Sequence, residues 1–273
     1  LAVRLSYIIW GGPPDEELME VADKNELQYP FVLREQVQRM VQDERAVAHS
    51  SKFISEWLNL GRLNNMRPNE DKFPDWKPEL AADMREETLS FFKEVVWNQK
   101  RPLGDLMNAQ ITFASSELAE HYGLVSTDGT ATVDGVARYD LSGNPYRGGL
   151  LTHGSVLTVG GDEASMVTRG LFVLHDLLRG TVKPPPPGLD TTPIPASPGQ
   201  SNRMISMARI GDNACGGCHE RFEPLAFAFE KFDGVGAFHE EDEYGNALRE
   251  DGELTIPGAK KAIRYESVAQ LAD

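Results

Sequence analysis

The sequence has little cysteine, no long apolar run and a deficit of basic residues. Only two of its 273 residues are cysteines, too few for an iron–sulfur cluster or a four-cysteine zinc site. No stretch approaches the roughly 20 apolar residues that a membrane-spanning helix needs. With 27 basic against 42 acidic residues the net charge is −15, whereas nucleic-acid binding requires a basic surface. The 40% hydrophobic content is ordinary for a globular protein with an ample core.

Both cysteines fall inside one pentapeptide, Cys215-Gly216-Gly217-Cys218-His219. The C-x-x-C-H spacing is the signature of covalent c-type haem attachment. Positions i and i+3 share a helix face, so both thiols face one surface and can form thioethers with the haem vinyl groups. His219 is placed to bind the iron on the proximal side, and we expect a nearby carbonyl to hold its other ring nitrogen. The motif therefore predicts one covalent haem c.

Other interpretations of the motif stay open at this point. A C-x-x-C pair also occurs in redox dithiols, although there it lies beside a strand of a βαβ unit and needs no histidine. Alternatively, Cys215 and Cys218 form a disulfide in an interaction module without haem. A zinc site is disfavoured, because the sequence has no second C-x-x-C and no H-x₃₋₅-H pair.

The second axial ligand is less well defined by the sequence. Residues 220–273 contain no methionine, which excludes the downstream methionine ligand of class I cytochromes c within this chain. We expect His153 as the sixth ligand, with Met166 and His239 as alternatives. A closed iron leaves electron transfer as the task, whereas an open position permits peroxide or oxygen chemistry.

These alternatives define two hypotheses for a haem protein. The first is a mono-haem electron carrier, alone or as part of a larger oxidoreductase. The second is a haem enzyme of peroxidase or oxygenase type, in which His153 acts as distal acid or base and Arg147 or Arg169 as a cationic helper.

Helical periodicity predicts a mainly α-helical fold with two domains. Residues 1–125 predict a helical scaffold domain in which nothing suggests chemistry. Residues 126–146 are rich in turn formers and predict a linker, with a short strand at 130–133. Residues 147–273 predict a cytochrome c-like haem domain with a small β-hairpin.

Individual elements follow from local patterns. A long helix is predicted from about Pro78 to Asn98, and Ser115 and Ser165 are predicted N-caps of two shorter ones. After the motif, residues 224–232 predict a helix. Residues 247–254 predict a strand that pairs back across an acidic turn.

The acid excess is local. From Glu220 to Glu253 there are eleven carboxylates against three basic residues. Charge near a cofactor edge steers encounter with an oppositely charged protein. We therefore expect a redox partner protein or a fused redox domain, with a basic surface as the steering option.

Several runs resemble a known family: RGGLLTH at 147–153, RG at 169–170, CGGCH at 215–219 and EPLAFAFEKFDGVG at 223–236. Together they are similar to the planctomycete-type cytochrome c-like domains. The runs LSYIIW at 5–10 and WLNL at 57–60 resemble the helical domain that precedes that module. The resemblance implies an exported, haem-bearing electron-transfer unit fused to other domains. Glu223 and Met166 depart from it, since relatives tend to have aspartate and proline there.

The first ten residues are apolar but lack the basic start and small-residue cleavage site of a signal peptide. The sequence begins without methionine and stops after a helix-like segment. We therefore expect a piece of a longer polypeptide, with the export signal and a C-terminal continuation outside it. Because haem c is attached outside the bacterial cytoplasm, the expected location is periplasmic or extracellular.

Overall fold

Helices make up most of the regular structure in the computed structural model, which describes residues 1–124, 135–188, 190–255, 259 and 261–272. The prediction of a mainly α-helical fold is confirmed. In this part of the chain the α-helices are α1 (Ala2–Ile9), α2 (Glu16–Asp23), α3 (Pro30–Val41), α4 (Glu44–Trp57), α5 (Pro78–Phe92), α6 (Asp105–Asn108), α7 (Ser116–His121), α8 (Gly154–Leu157), α9 (Met166–Phe172), α10 (Asn202–Gly211), α11 (Gly216–His219) and α12 (Val268–Ala272).

Side-chain caps fix where several helices begin. The predicted caps are confirmed: Ser115 accepts from the backbone N–H of Leu118 at 3.0 Å, and Ser165 from that of Thr168 at 3.3 Å. An oxygen that accepts one of the free N–H groups of the first turn typically stabilises a helix by about 1 kcal/mol. Ser201 caps α10, the helix that leads into the C-x-x-C-H motif, in the same way.

Two helices continue as π-turns. Residues Lys93–Asn98 extend α5, so the predicted helix from Pro78 to Asn98 is confirmed in extent, and Val173–Leu177 extend α9 in the same manner. The long helix α5 runs through the core, where Met84, Phe91 and Val95 are fully buried.

Two small antiparallel sheets complete the described structure. Strand β1 (Ile111–Ala114) pairs with β2 (Ala137–Asp140), and β3 (Gly252–Leu254) with β4 (Ile263–Tyr265). The strand predicted at 130–133 lies outside the described residues.

The small antiparallel β pair predicted beyond residue 147 is confirmed as β3–β4, but its predicted position across the acidic turn is wrong. Only a single bridge, between Glu241 and Ala247, spans that turn, and β3 pairs downstream instead. Side chains hold the backbone beyond this bridge: the carbonyls of Arg249 and Asp251 accept from Arg203 of α10, and the Arg249 N–H donates to Glu230.

The helix predicted at 224–232 is also wrong. The segment forms two 3₁₀ turns, Glu223–Leu225 and Phe227–Phe229. Residues 222–230 are buried on every side, whereas an amphipathic helix keeps one face in water. The carbonyls of Phe229 and Phe232 accept from the Arg169 guanidinium, and the one later amide that donates to Phe229 is that of Phe232, three residues on, as in a 3₁₀ turn and not an α-helix.

One hydrophobic core draws on both halves of the chain. It contains Phe91 of α5 together with Leu157, Phe229 and Tyr265 from beyond residue 147. A smaller cluster near the N-terminus includes the fully buried Leu18. The boundaries at 125 and 147 stay a prediction, because a shared core is compatible with two packed domains. No helix in the described residues combines the length and apolar character needed to cross a bilayer.

Candidate functional site

The C-x-x-C-H motif occupies one short helix directly after α10. Cys215 is the N-cap of α11, and Cys218 and His219 end it. The preceding turn is closed by Asp212, whose Oδ1 accepts from the backbone N–H of Ala214 at 2.8 Å and of Cys215 at 3.0 Å. Both thiols are free and half-buried. The turn therefore presents two thiols and an imidazole on a single turn of helix.

The two glycines of the motif have different structural roles. Gly216 is buried, and a Cβ there would collide with the carbonyl oxygen of Ile210 at the end of α10. Gly217 is exposed, and a Cβ would meet nothing within 4 Å. Only the first glycine is therefore required for packing α11 against α10.

His219 is held by a carboxylate. Its Nδ1 lies 2.5 Å from Oε1 of the fully buried Glu223. Arg209 of α10 donates to both oxygens of Glu223, from Nε at 2.8 Å and from Nη2 at 3.0 Å. The predicted carbonyl partner is thus replaced by a charged carboxylate, since the tight turn after α11 returns position 223 beneath the ring. Because a carboxylate accepts, Nδ1 carries the proton and Nε2 is left to bind a metal.

Helix α9 packs directly on this arrangement. A Cβ at Gly170 would collide with the backbone carbonyl of Phe222, so only glycine allows the close approach. The Phe222 ring lies 5.0 Å from the His219 imidazole. These contacts tie the position of the imidazole to the core rather than to the motif alone.

The donor set fits a haem c. Two thiols at i and i+3 match the two vinyl groups, and one imidazole with a second-shell acceptor matches an axial ligand. The described part of the chain has no group of three or more His, Cys, Asp and Glu side chains that could hold a bare metal ion. A porphyrin would bring most of the iron's ligands itself, so a haem would not need such a group.

The electrostatics around Cys215 differ from those of a redox dithiol. Desolvation, followed by the nearby Asp212, raises the pKa of the Cys215 thiol above its usual value. Reactive dithiols depend on the opposite shift, toward the thiolate. The Cys215 thiol therefore does not have the lowered pKa that is typical of a reactive dithiol.

His153, the predicted sixth ligand, lies in a buried polar cluster. Its side chain is 2% exposed, Nδ1 lies 3.1 Å from Oγ1 of Thr88, and the ring packs edge-on against Phe91 at 4.6 Å. Its Nε2 is buried and has no hydrogen-bond partner. Burial lowers the pKa of His153, which favours the neutral imidazole.

The two alternatives, Met166 and His239, line a common cleft of about 310 Å³. Met166 is buried there, and Nε2 of His239 lies 2.8 Å from Oδ2 of Asp233. Lys72 bridges Glu163 and Glu243 at the same cleft. The residues that line it do not include the cysteines or His219. The identity of the sixth ligand stays a prediction.

Arg147 and Arg169 are buried scaffolding residues. The Arg147 guanidinium donates to the carbonyls of Thr152 and Gly236 and lies 3.7 Å over the Tyr122 ring. Arg169 donates to four backbone carbonyls, and burial lowers its pKa to about 10. Both guanidinium groups are buried and donate to backbone carbonyls, which is a structural role and differs from the distal helper that the sequence suggested.

Two features were missed by sequence reasoning. Glu223 stands four residues after His219, a spacing that places side chains together on a turn and was a usable signal. Glu87 is buried and accepts from Thr112 Oγ1, Tyr122 Oη and the Gly154 N–H. No local pattern predicts the contacts of Glu87, since its donors come from distant parts of the chain.

Comparison with protein families gives two matches in the order that the resemblance predicted. Residues 1–124 match the family PSD4, a protein of unknown function (DUF1592). Residues 147–242 match PSCyt3, a protein of unknown function (DUF1588). The second segment contains the motif, Glu223 and Arg209, and the family name PSCyt3 hints at a cytochrome-like domain. No curated protein and no solved structure matches the chain.

Proposed function

We propose that the chain is an electron-transfer module that carries one covalent haem c. The observation that carries the proposal is the single turn of helix on which two free thiols precede an imidazole whose Nδ1 is already bound to Glu223. In this proposal Cys215 and Cys218 hold the macrocycle by thioether bonds. His219 is the proximal iron ligand through Nε2.

Haem c, when bound, supplies a one-electron ferric/ferrous couple. The residues of the chain fix its position and its electrostatic surroundings. The packing of Gly216 on α10 and of α9 on Phe222 holds the proximal imidazole in place. Attachment outside the cytoplasm and the family resemblance support a periplasmic or extracellular location.

The electron partner is a separate redox protein or a fused redox domain. The acid excess from 220 to 253 suggested a partner with a basic surface. This argument is weaker in the folded chain, because most of these carboxylates are neutralised by basic side chains of the same chain. Eight of the eleven form ion pairs: Glu223, Glu230, Asp233, Glu240, Glu243, Glu250, Asp251 and Glu253. Paired charges largely cancel beyond a Debye length of about 8 Å.

Export of the chain through a bacterial cytochrome c maturation system tests the proposal. We expect a Soret band, one haem per chain by pyridine haemochrome, and a mass increase of one haem that survives denaturation. The double variant Cys215→Ser, Cys218→Ser is the matched control and should emerge folded and colourless. A colourless wild-type chain without haem on either cysteine would refute the proposal, and a Cys215–Cys218 disulfide found in it would make the interaction module the better interpretation.

A haem enzyme with an open distal position is the second candidate. The observation that favours it is that two of the sixth-ligand candidates are already in contact with other groups, since His239 Nε2 lies 2.8 Å from Asp233 and Met166 is buried in the hydrophobic core, and that the cleft they line does not include the motif. Adding carbon monoxide to the reduced protein distinguishes the two functions. Rapid, complete binding indicates an open iron, whereas slow or absent binding indicates a closed, electron-transferring one.

A further inference from the structure

The strongest unassigned feature near the motif is the chain of contacts His219–Glu223–Arg209. Glu223 is 0% exposed, while the side chain of Arg209 keeps 24% of its surface in water. One oxygen of Glu223, Oε1, is shared between the imidazole and Arg209, and the other, Oε2, contacts Arg209. A charged group is therefore placed directly behind the proposed proximal ligand, and a second charge partly neutralises it.

We propose that Glu223 is a positioning residue that acts through Nδ1 of His219 to lower the reduction potential of the haem, and that Arg209 limits this effect. The inference rests on the proposed function, because it concerns a haem bound through His219. It goes beyond the covalent attachment of the haem, since it names the residues that set its reduction potential.

The physical reason lies in the acceptor. A hydrogen bond to an ionised group is roughly twice as strong as one between neutral groups. A carboxylate on Nδ1 makes the imidazole a more basic ligand than a backbone carbonyl does. Extra electron density and a buried negative charge both stabilise the more positive, oxidised iron, and little solvent is present to screen them.

Arg209 has the opposite influence. Its guanidinium donates to both oxygens of Glu223 and withdraws negative charge from the acceptor of the His219 proton. Removing Arg209 should therefore lower the potential further, whereas neutralising Glu223 should raise it. A purely structural role would not move the potential in opposite directions for the two partners.

The chain offers a matched control on the same helix. Arg203 of α10 donates from Nε to Oε2 of Glu230 at 2.6 Å, and the Glu230 side chain is 2% exposed. This pair is an Arg–Glu contact of similar burial, and its other partners are Ser201 and the Arg249 backbone. Glu230→Gln therefore measures the effect of losing a buried charge that does not contact His219.

Spectroelectrochemical titration of the holoprotein tests the inference. The measured step adds one electron, supplied by dithionite through mediators, to the iron, and it breaks no bond. For Glu223→Gln we expect the equilibrium constant for reduction to rise about tenfold, equivalent to about 59 mV for one electron. Glu230→Gln should change it much less, and Arg209→Gln should lower it.

The outcomes separate this inference from the function on which it depends. A colourless wild-type chain overturns both. A coloured wild type whose potential is unchanged or lowered by Glu223→Gln overturns only the role of Glu223, as does an equal rise in Glu230→Gln. If Glu223→Gln does not accumulate, Arg209→Gln decides: a lower potential supports the inference, and an unchanged or higher one overturns it.

Discussion

Replacing Tyr122 with phenylalanine tests the buried contact between the two halves of the chain. The Tyr122 hydroxyl donates to Oε2 of Glu87 at 2.8 Å and accepts from the Gly154 N–H at 2.8 Å. Glu87 lies on α5, whereas Gly154 begins α8 beyond residue 147. The substitution removes only an oxygen and leaves the packing of the ring unchanged.

The structure sets the expected magnitude. A hydrogen bond to a charged group contributes about 1.5 to 3 kcal/mol to stability. Glu87 keeps a contact with the Gly154 N–H at 3.2 Å and another with Thr112, so the carboxylate is not left without donors. We therefore expect Tyr122→Phe to lower the free energy of unfolding by about 2 kcal/mol.

Tyr265→Phe is the matched control. Tyr265 is also buried, and its hydroxyl donates to a neutral acceptor, the Pro224 carbonyl, at 2.6 Å. Its loss should cost about 1 kcal/mol, since neutral hydrogen bonds contribute less. Burial and the nearby Glu87 raise the pKa of Tyr122 well above its usual value, so its hydroxyl stays protonated and the effect should not vary between neutral and mildly alkaline pH.

Urea unfolding followed by tryptophan fluorescence measures both variants, with the slope of the transition as the check that the same surface unfolds. Equal losses for the two tyrosines, or a smaller loss for Tyr122, would refute the idea that a charged acceptor makes this junction strong.

Two further predictions concern an ion pair and the motif glycines. The Arg39 hydrogen bond lowers the pKa of Asp15 to about 2 from 3.8, so the stability from this carboxylate is present above pH 3.8 and is lost as pH falls toward 2. Asp15→Asn keeps the helix cap and should lower the unfolding free energy by about 1 kcal/mol at pH 7, since the ion pair is screened by solvent, and by about half that at pH 3 in urea titrations. Equal losses at both pH values would contradict it. Gly216→Ala should cost about 1 to 3 kcal/mol by clashing with the Ile210 carbonyl, whereas Gly217→Ala should be nearly neutral. Calorimetry that found equal shifts would show that α11 does not pack tightly on α10.

The features that were predicted correctly are those that depend on residues close together in the sequence. The helix over residues 78–98 follows from apolar periodicity, and the caps at Ser115 and Ser165 follow from hydroxyl chemistry at the first turn. The motif was predictable for the same reason, because its five residues form one turn whose geometry does not depend on distant parts of the chain. The contact between Glu223 and His219 could have been predicted as well, because residues spaced four apart lie close together on a helical turn.

The elements and contacts that could not be predicted depend on interactions between residues far apart in the sequence. Residues 224–232 contain helix-forming apolar spacing, but tertiary burial on all sides overrides that preference. Strand β1 is only four residues long, and its partner β2 lies more than twenty residues later, so neither has a distinctive pattern. The contacts of His153 with Thr88 and of Glu87 with Tyr122 could not be predicted either, since the partners are remote in sequence.

Three arginines explain how the chain after the motif holds its shape with so little regular secondary structure. Arg147, Arg169 and Arg203 are buried or nearly so, and each donates to two or more backbone carbonyls. The acceptors are the carbonyls of Thr152, Leu157, Phe227, Phe229, Phe232, Asp233, Gly236, Arg249 and Asp251. A buried carbonyl without a donor costs about 1 to 3 kcal/mol, and one guanidinium offers five N–H groups in a fixed plane. Arg169 and Arg203 lie on α9 and α10, the helices that contact the motif and the segment after it. Arg209, also on α10, donates to both oxygens of Glu223, so α10 holds both this irregular segment and the contact between Glu223 and His219.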